Sequence, residues 1–71
     1  MTTESIIEVL GYANGNERAV RVCLRDGTEI VGTPTSVDLH PTANEVFLHP
    51  DGDDETEIGI SLAAIVSAEM L

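Results

Sequence analysis

Apolar and polar positions alternate with a period of two over most of this chain. Val20, Val22 and Leu24 alternate with Arg21, Cys23 and Arg25, which predicts a strand over residues 18–25 with one buried face. Asp26-Gly27 follows, a hairpin signal, because glycine takes the φ > 0 that a primed turn requires. Ile30 restarts the apolar face, and residues 28–39 read as a long second strand that must bend. Gly32 inside it marks a bulge, a sharp bend or a close backbone approach. Pro34 cannot donate to a ladder and belongs at a bulge or on an edge. Residues 40–44 form a turn. A short third strand over 45–49 puts Val46 and Leu48 on one side and Phe47 on the other, and residues 50–55 form a loop with a proline, a glycine and three aspartates. A fourth strand over 56–62 carries Ile58, Ile60 and Leu62 on one face. Ala63-Ala64 makes a corner into a fifth strand over 65–70. Five short strands with frequent turn signals predict a mainly β, five-stranded small barrel. Leu-His-Pro occurs twice, at 39–41 and 48–50, and each copy ends a strand, because the residue before proline stays extended.

Residues 1–16 carry two patterns. Ser5 followed by Glu8 matches a capping box, Glu4 suits a first helical turn, and Ile6, Ile7 and Leu10 make an apolar stripe with Gly11 near the stop. The competing reading is a strand over 6–13 turning at Asn14-Gly15, which the β-branched Ile6, Ile7 and Val9 favour. The capping signals tip the balance to a short N-terminal helix. The whole chain, 71 residues, then forms a single domain.

Size changes the picture. A core of this size contributes roughly 3–5 kcal/mol of net stability, and small domains need a staple. Cys23 is the sole cysteine, so no intrachain disulfide forms, and no four-ligand zinc spacing is present. Only Tyr12 and Phe47 supply large rings. By elimination the staple is a partner subunit, and a homo-oligomer is expected.

Charge changes it further. Thirteen acids face three bases, for a net charge of −10. The bases are Arg18, Arg21 and Arg25, all on the first strand, and there is no lysine. A phosphate backbone wants several cations on one surface, so a general nucleic-acid grip is not expected. An acidic surface for a basic partner protein fits better, with Glu29, Asp51, Asp53, Asp54, Glu55 and Glu57 as its candidates. No apolar run approaches the ~20 residues of a membrane span. The unpaired thiol and the absence of a signal-peptide pattern fit a cytoplasmic setting.

The order of elements, with its bent second strand, resembles the Sm-like fold, a small barrel of the SH3-like kind. The resemblance covers residues 20–48. Val22 and Leu24 match the family's apolar-x-apolar pair, Asp26-Gly27 its turn, Ile30 the next apolar position, Gly32 the strand-bending glycine and Val37-Asp38 the apolar-Asp pair. Asn44 matches the family's asparagine after a loop about two residues longer than usual. The resemblance implies ring assembly and, in its RNA-binding members, a nucleotide pocket built with residues matching Asp38 and Asn44. The second motif departs: its Arg-Gly pair falls at Ser61-Leu62, which removes the pocket's cation. The chain is also similar to the Rho-binding antiterminators, small acidic Sm-like barrels with an N-terminal helix. The similar residues are the Asp26-Gly27 start and the ending Ile60-Ser61-Leu62-Ala63-Ala64-Ile65. That resemblance implies binding of the transcription terminator Rho through acidic residues.

Candidate chemistry is sparse. His40, His49 and Cys23 have no ligand spacing with Asp51 or Asp53, and solvated turn histidines are the simpler reading. Residues 51–57 lack the sixth-position glycine and twelfth-position glutamate of a calcium loop. Cys23 lies between Arg21 and Arg25, whose charges would favour a thiolate, but a packed or interfacial thiol is expected. No nucleophile–base pair or phosphate-cradling glycine loop is present, so no catalytic, cofactor or metal residue is assigned. The expected oligomer edge runs through Ile58, Ile60 and Leu62 of one subunit and Ile65 of the next, since open strand edges invite pairing.

Overall fold

The computed structural model describes residues 1–53 and 55–71. Helix α1 (Thr3–Asn16) precedes five strands: β1 (Val20–Leu24), β2 (Glu29–Asp38), β3 (Glu45–Pro50), β4 (Ile58–Ser61) and β5 (Ile65–Met70). A 3₁₀ turn over Leu62–Ala64 joins the last two. The strands form one antiparallel sheet in the order β4-β3-β2-β1-β5.

The N-terminal segment is a helix because burial on one face outweighs the β-branched residues' local preference. Ile6, Leu10 and Ala13 recur at helical spacing and are all buried. The cap differs from the sequence expectation. Thr2, not Ser5, is the N-cap: its Oγ1 accepts from the Ser5 backbone N–H at 3.1 Å, with the Ser5 hydroxyl 2.9 Å away. The helix also runs past Gly11. It stops only at Glu17, which takes the left-handed conformation (φ 52, ψ 43), while Arg18 N–H donates back to Ala13 O.

The hairpin between β1 and β2 turns differently from a primed two-residue loop. Leu24 and Thr28 still pair, so Arg25, Asp26 and Gly27 form a three-residue loop in which Gly27 alone has positive φ (90°). Gly27 N–H closes the turn onto Leu24 O, and Asp26 Oδ1 accepts from Thr28 N–H. Strand β2 bends as expected. Gly32 lies against β3 so closely that a Cβ there would sit 2.3 Å from His49 O. The ladder slips between Pro34 and Ser36, leaving Thr35 as the bulged residue.

Among the described residues the core is one cluster of eleven buried apolar residues, including Leu10 from the helix, Val20 and Val22 from β1, Val46 and Leu48 from β3, and Ile65 and Ala68 from β5. The expected barrel is not closed. Strands β4 and β5 are the two outer strands and share no ladder among the described residues. The short 3₁₀ turn nevertheless carries the chain from one edge to the other, so the sheet curls until its edges approach at that corner. The turn is fastened to both sides: Leu62 N–H donates to Asn44 O and Arg25 N–H to Ala64 O. Strand β4 is shorter than the expected 56–62, and helix α1 closes the core against β2 and β5 in place of further strand pairing. No helix is long and apolar enough to cross a membrane among the described residues.

Candidate functional site

The three arginines are the only lysine or arginine side chains of the sequence. Arg21 Nη1 pairs with Glu69 Oε1 at 3.0 Å across the β1–β5 ladder. Arg18 Nη2 donates to Leu71 O at 3.0 Å. Arg25 Nε donates to Ala63 O at 2.8 Å and so satisfies a carbonyl of the 3₁₀ turn. Each arginine has one partner in the C-terminal part of the chain: Glu69 in β5, Leu71 just after it, or Ala63 in the 3₁₀ turn. Only Arg21 meets a carboxylate among the described residues, while Arg18 and Arg25 are exposed and bond neutral carbonyls.

The acidic candidates converge partly. Asp51 N–H donates to Val31 O at 2.9 Å, which continues the β2–β3 pairing and ties the start of the acidic loop to β2. Glu29, Asp51, Asp53, Glu55 and Glu57 are exposed, and Asp54 lies outside the described residues. Two of these side chains have structural work. Glu57 Oε2 lies 3.1 Å from Thr35 Oγ1 at the bulge. Asp53 holds its loop together, with Oδ2 accepting from the Thr56 hydroxyl and Oδ1 from the backbone N–H groups of Glu55 and Thr56. The Thr56 hydroxyl bond, then the backbone bonds, and more weakly the charge of His49, hold the Asp53 carboxyl below its usual range. Asp26 is lowered in the same way by Thr28.

Asp38 and Asn44 flank one turn. Asp38 Oδ1 accepts from His40 N–H at 3.0 Å, an Asx turn, and Asn44 takes positive φ (47°), which asparagine tolerates. His40 Nδ1 bonds Thr42 within the same turn. The thiol of Cys23 lies 3.6 Å from Glu29 Oε1, its cross-strand neighbour. The sequence neighbours Arg21 and Arg25 point their guanidinium groups elsewhere. Among the described residues no three His, Cys, Asp or Glu side chains come together as a metal site.

The edge candidates are placed with their side chains inward. Ile60, Leu62 and Ile65 are buried in the core, and Ile58 packs against it. What β4 and β5 offer outward is backbone, with the exposed Gly59, Ser61, Val66 and Glu69.

One feature has no local signal in the sequence. A cleft of about 450 Å³ opens between the end of α1 (Asn14, Glu17), the bend of β2 (Thr33, Pro34, Thr35) and the turn after β3 (His49, Pro50, Asp51, Gly52). Asn14, with its amide nitrogen toward β2, donates to Thr35 O at 2.9 Å and Pro34 O at 3.2 Å, and thereby ties the helix to the strand where the β1 ladder has ended. His49 Nδ1 bonds Thr56 O at 2.7 Å, and a carbonyl accepts, so Nδ1 carries the proton. The turn beneath is set by Gly52 (φ 83) and the Asp53 N–H to Pro50 O bond. The cleft joins segments more than thirty residues apart, which hydrophobic periodicity does not report.

Comparison with protein-family models, with curated proteins and with solved structures found no match to this chain.

Proposed function

We propose that this chain is a non-enzymatic, protein-binding module of the Sm-like kind, which assembles through its sheet edges and recognises a basic partner with its acidic rim. The observation that carries the reading is the exposure of the carboxylates at 29, 51, 53, 55 and 57, on a chain with thirteen acids against three bases. Among the described residues none of these carboxylates forms an ion pair with an arginine. A basic protein surface is the complement of such a rim. The edges support assembly: among the described residues β4 and β5 each have a neighbouring strand on one side only, with Ala68 N–H on the outer side of β5 held by Met1 Sδ, and strand addition extends such edges. Binding of an immobilised arginine-rich peptide at low salt, lost at high salt, is the expected result. A partner indifferent to salt, or no retention, counts against the reading, because exposed charges are screened within about 10 Å at 0.1 M.

A second reading, an antiterminator-like inhibitor acting as a monomer on Rho, is favoured by one observation. The Asp51–Val31 hydrogen bond ties the start of the exposed acidic loop to β2, the strand that begins at Glu29. Salt-sensitive binding of purified Rho by a monomeric protein supports it. Absence of Rho binding at low salt removes it.

A further inference from the structure

We infer that the cleft between α1 and the β2–β3 strands receives an arginine side chain of a basic partner. This rests on the protein-binding reading and says where the partner's cation goes. The cleft's size, about 450 Å³, fits an extended side chain, and among the described residues no three ligating side chains come together as a metal site. Its lining contains no lysine or arginine, and it contains two carboxylates, Glu17 just past the helix end and Asp51 in the turn after β3. His49 Nδ1 is spent on Thr56 O, which leaves Nε2 as the ring nitrogen without that bond. Acceptors spread over separate elements suit the five-donor fork of a guanidinium better than the point charge of an ammonium. The rings of Pro34 and Pro50 give the aliphatic stem an apolar wall. None of the chain's own arginines fills the space, since all three are bonded elsewhere.

Glu17 supplies a clean test. It holds the left-handed position that ends α1, where glycine is the easier residue. Glu17→Gly therefore removes a cleft carboxylate without unfolding the domain. The probe is a capped tri-arginine peptide, with a tri-citrulline peptide of the same shape and no charge as its counterpart, titrated into ¹⁵N-labelled protein. Amide shifts at Asn14, Glu17, Thr33, His49 and Gly52 are expected with the arginine peptide and not with the citrulline one. Glu17→Gly and Asp51→Asn are each expected to weaken binding by about two- to fivefold, the scale of one exposed ion pair. Shifts confined to Glu29 and residues 53–57 overturn the cleft and leave the acidic-rim reading standing. Equal response to citrulline overturns the charge argument, and no response at any residue overturns both.

Discussion

Gly32→Ala asks whether the bend of β2 rests on one missing methyl group. A Cβ at this position would lie 2.3 Å from His49 O, 2.7 Å from Leu48 Cδ1 and 3.0 Å from His49 C. The Leu48 methyl is the end of a side chain, but that side chain is fully buried. The carbonyl is backbone, and it belongs to a ladder that pairs Gly32 with Pro50 and Thr33 with His49. It retreats only if β2 and β3 separate. Overpacking of this kind costs about 1–3 kcal/mol, and a clash with backbone belongs at the upper end. The gain from a stiffer unfolded chain, about 0.4–1 kcal/mol, does not offset it. Each kcal/mol moves Tm by roughly 4–8 °C in a domain of this size, so a fall of about 10–20 °C is expected. Gly11→Ala is the internal comparison. Gly11 is helical and meets nothing within 4 Å, so alanine there stabilises by about 0.5–1 kcal/mol. Circular dichroism melts at one fixed protein concentration measure both. Gly32→Ala melting with the parent protein, or Gly11→Ala falling as far as Gly32→Ala, refutes the reasoning.

Three further outcomes are expected. Arg25→Ala removes the bond to Ala63 O and is expected to cost about 1 kcal/mol, read as a lower urea midpoint with an unchanged slope; an unchanged midpoint means the 3₁₀ turn does not need the side chain. The carboxyls of Asp26 and Asp53 titrate below their usual value when folded, so their contribution is present above the ordinary carboxylate pKa, about 3.9, and is lost as pH falls through the lower folded value. Asp53→Asn is therefore expected to flatten the loss of stability on acidification below about pH 4, and an acid transition identical to the parent's contradicts this. Oligouridine is expected to bind no tighter than roughly 10⁻⁴–10⁻⁶ M, the nonspecific range; submicromolar binding by fluorescence anisotropy, weakened by Asn44→Ala, restores the RNA pocket.

Legibility in the sequence followed the range of the interaction concerned. The β1 face of Val20 and Val22, the bend at Gly32 and the bulge beside Pro34 depend on alternation and on two residues with special backbones, and all are found. Gly11 misleads because glycine ends a helix only by taking positive φ; here that conformation falls to Glu17, which carries no such signal. The N-cap lies three residues earlier than expected because Thr2 and Ser5 are both capping types, and the position of the buried Ile6 stripe decides between them. Closure of the sheet turns on whether β4 and β5 pair, a contact between edges that no local pattern encodes. The acidic residues were readable, but the partners of Arg18, Arg21 and Arg25 were not, since they lie 53, 48 and 38 residues away. The cleft is invisible for the same reason.

The assembly claim rests on two unpaired strands at the edges of one small sheet, and mass in solution tests it most directly. Light scattering behind size exclusion at micromolar concentration is expected to give a multiple of the 7.6 kDa chain mass. A single species of 7.6 kDa with the circular dichroism of a folded β-rich protein contradicts the assembling module and leaves the monomeric inhibitor.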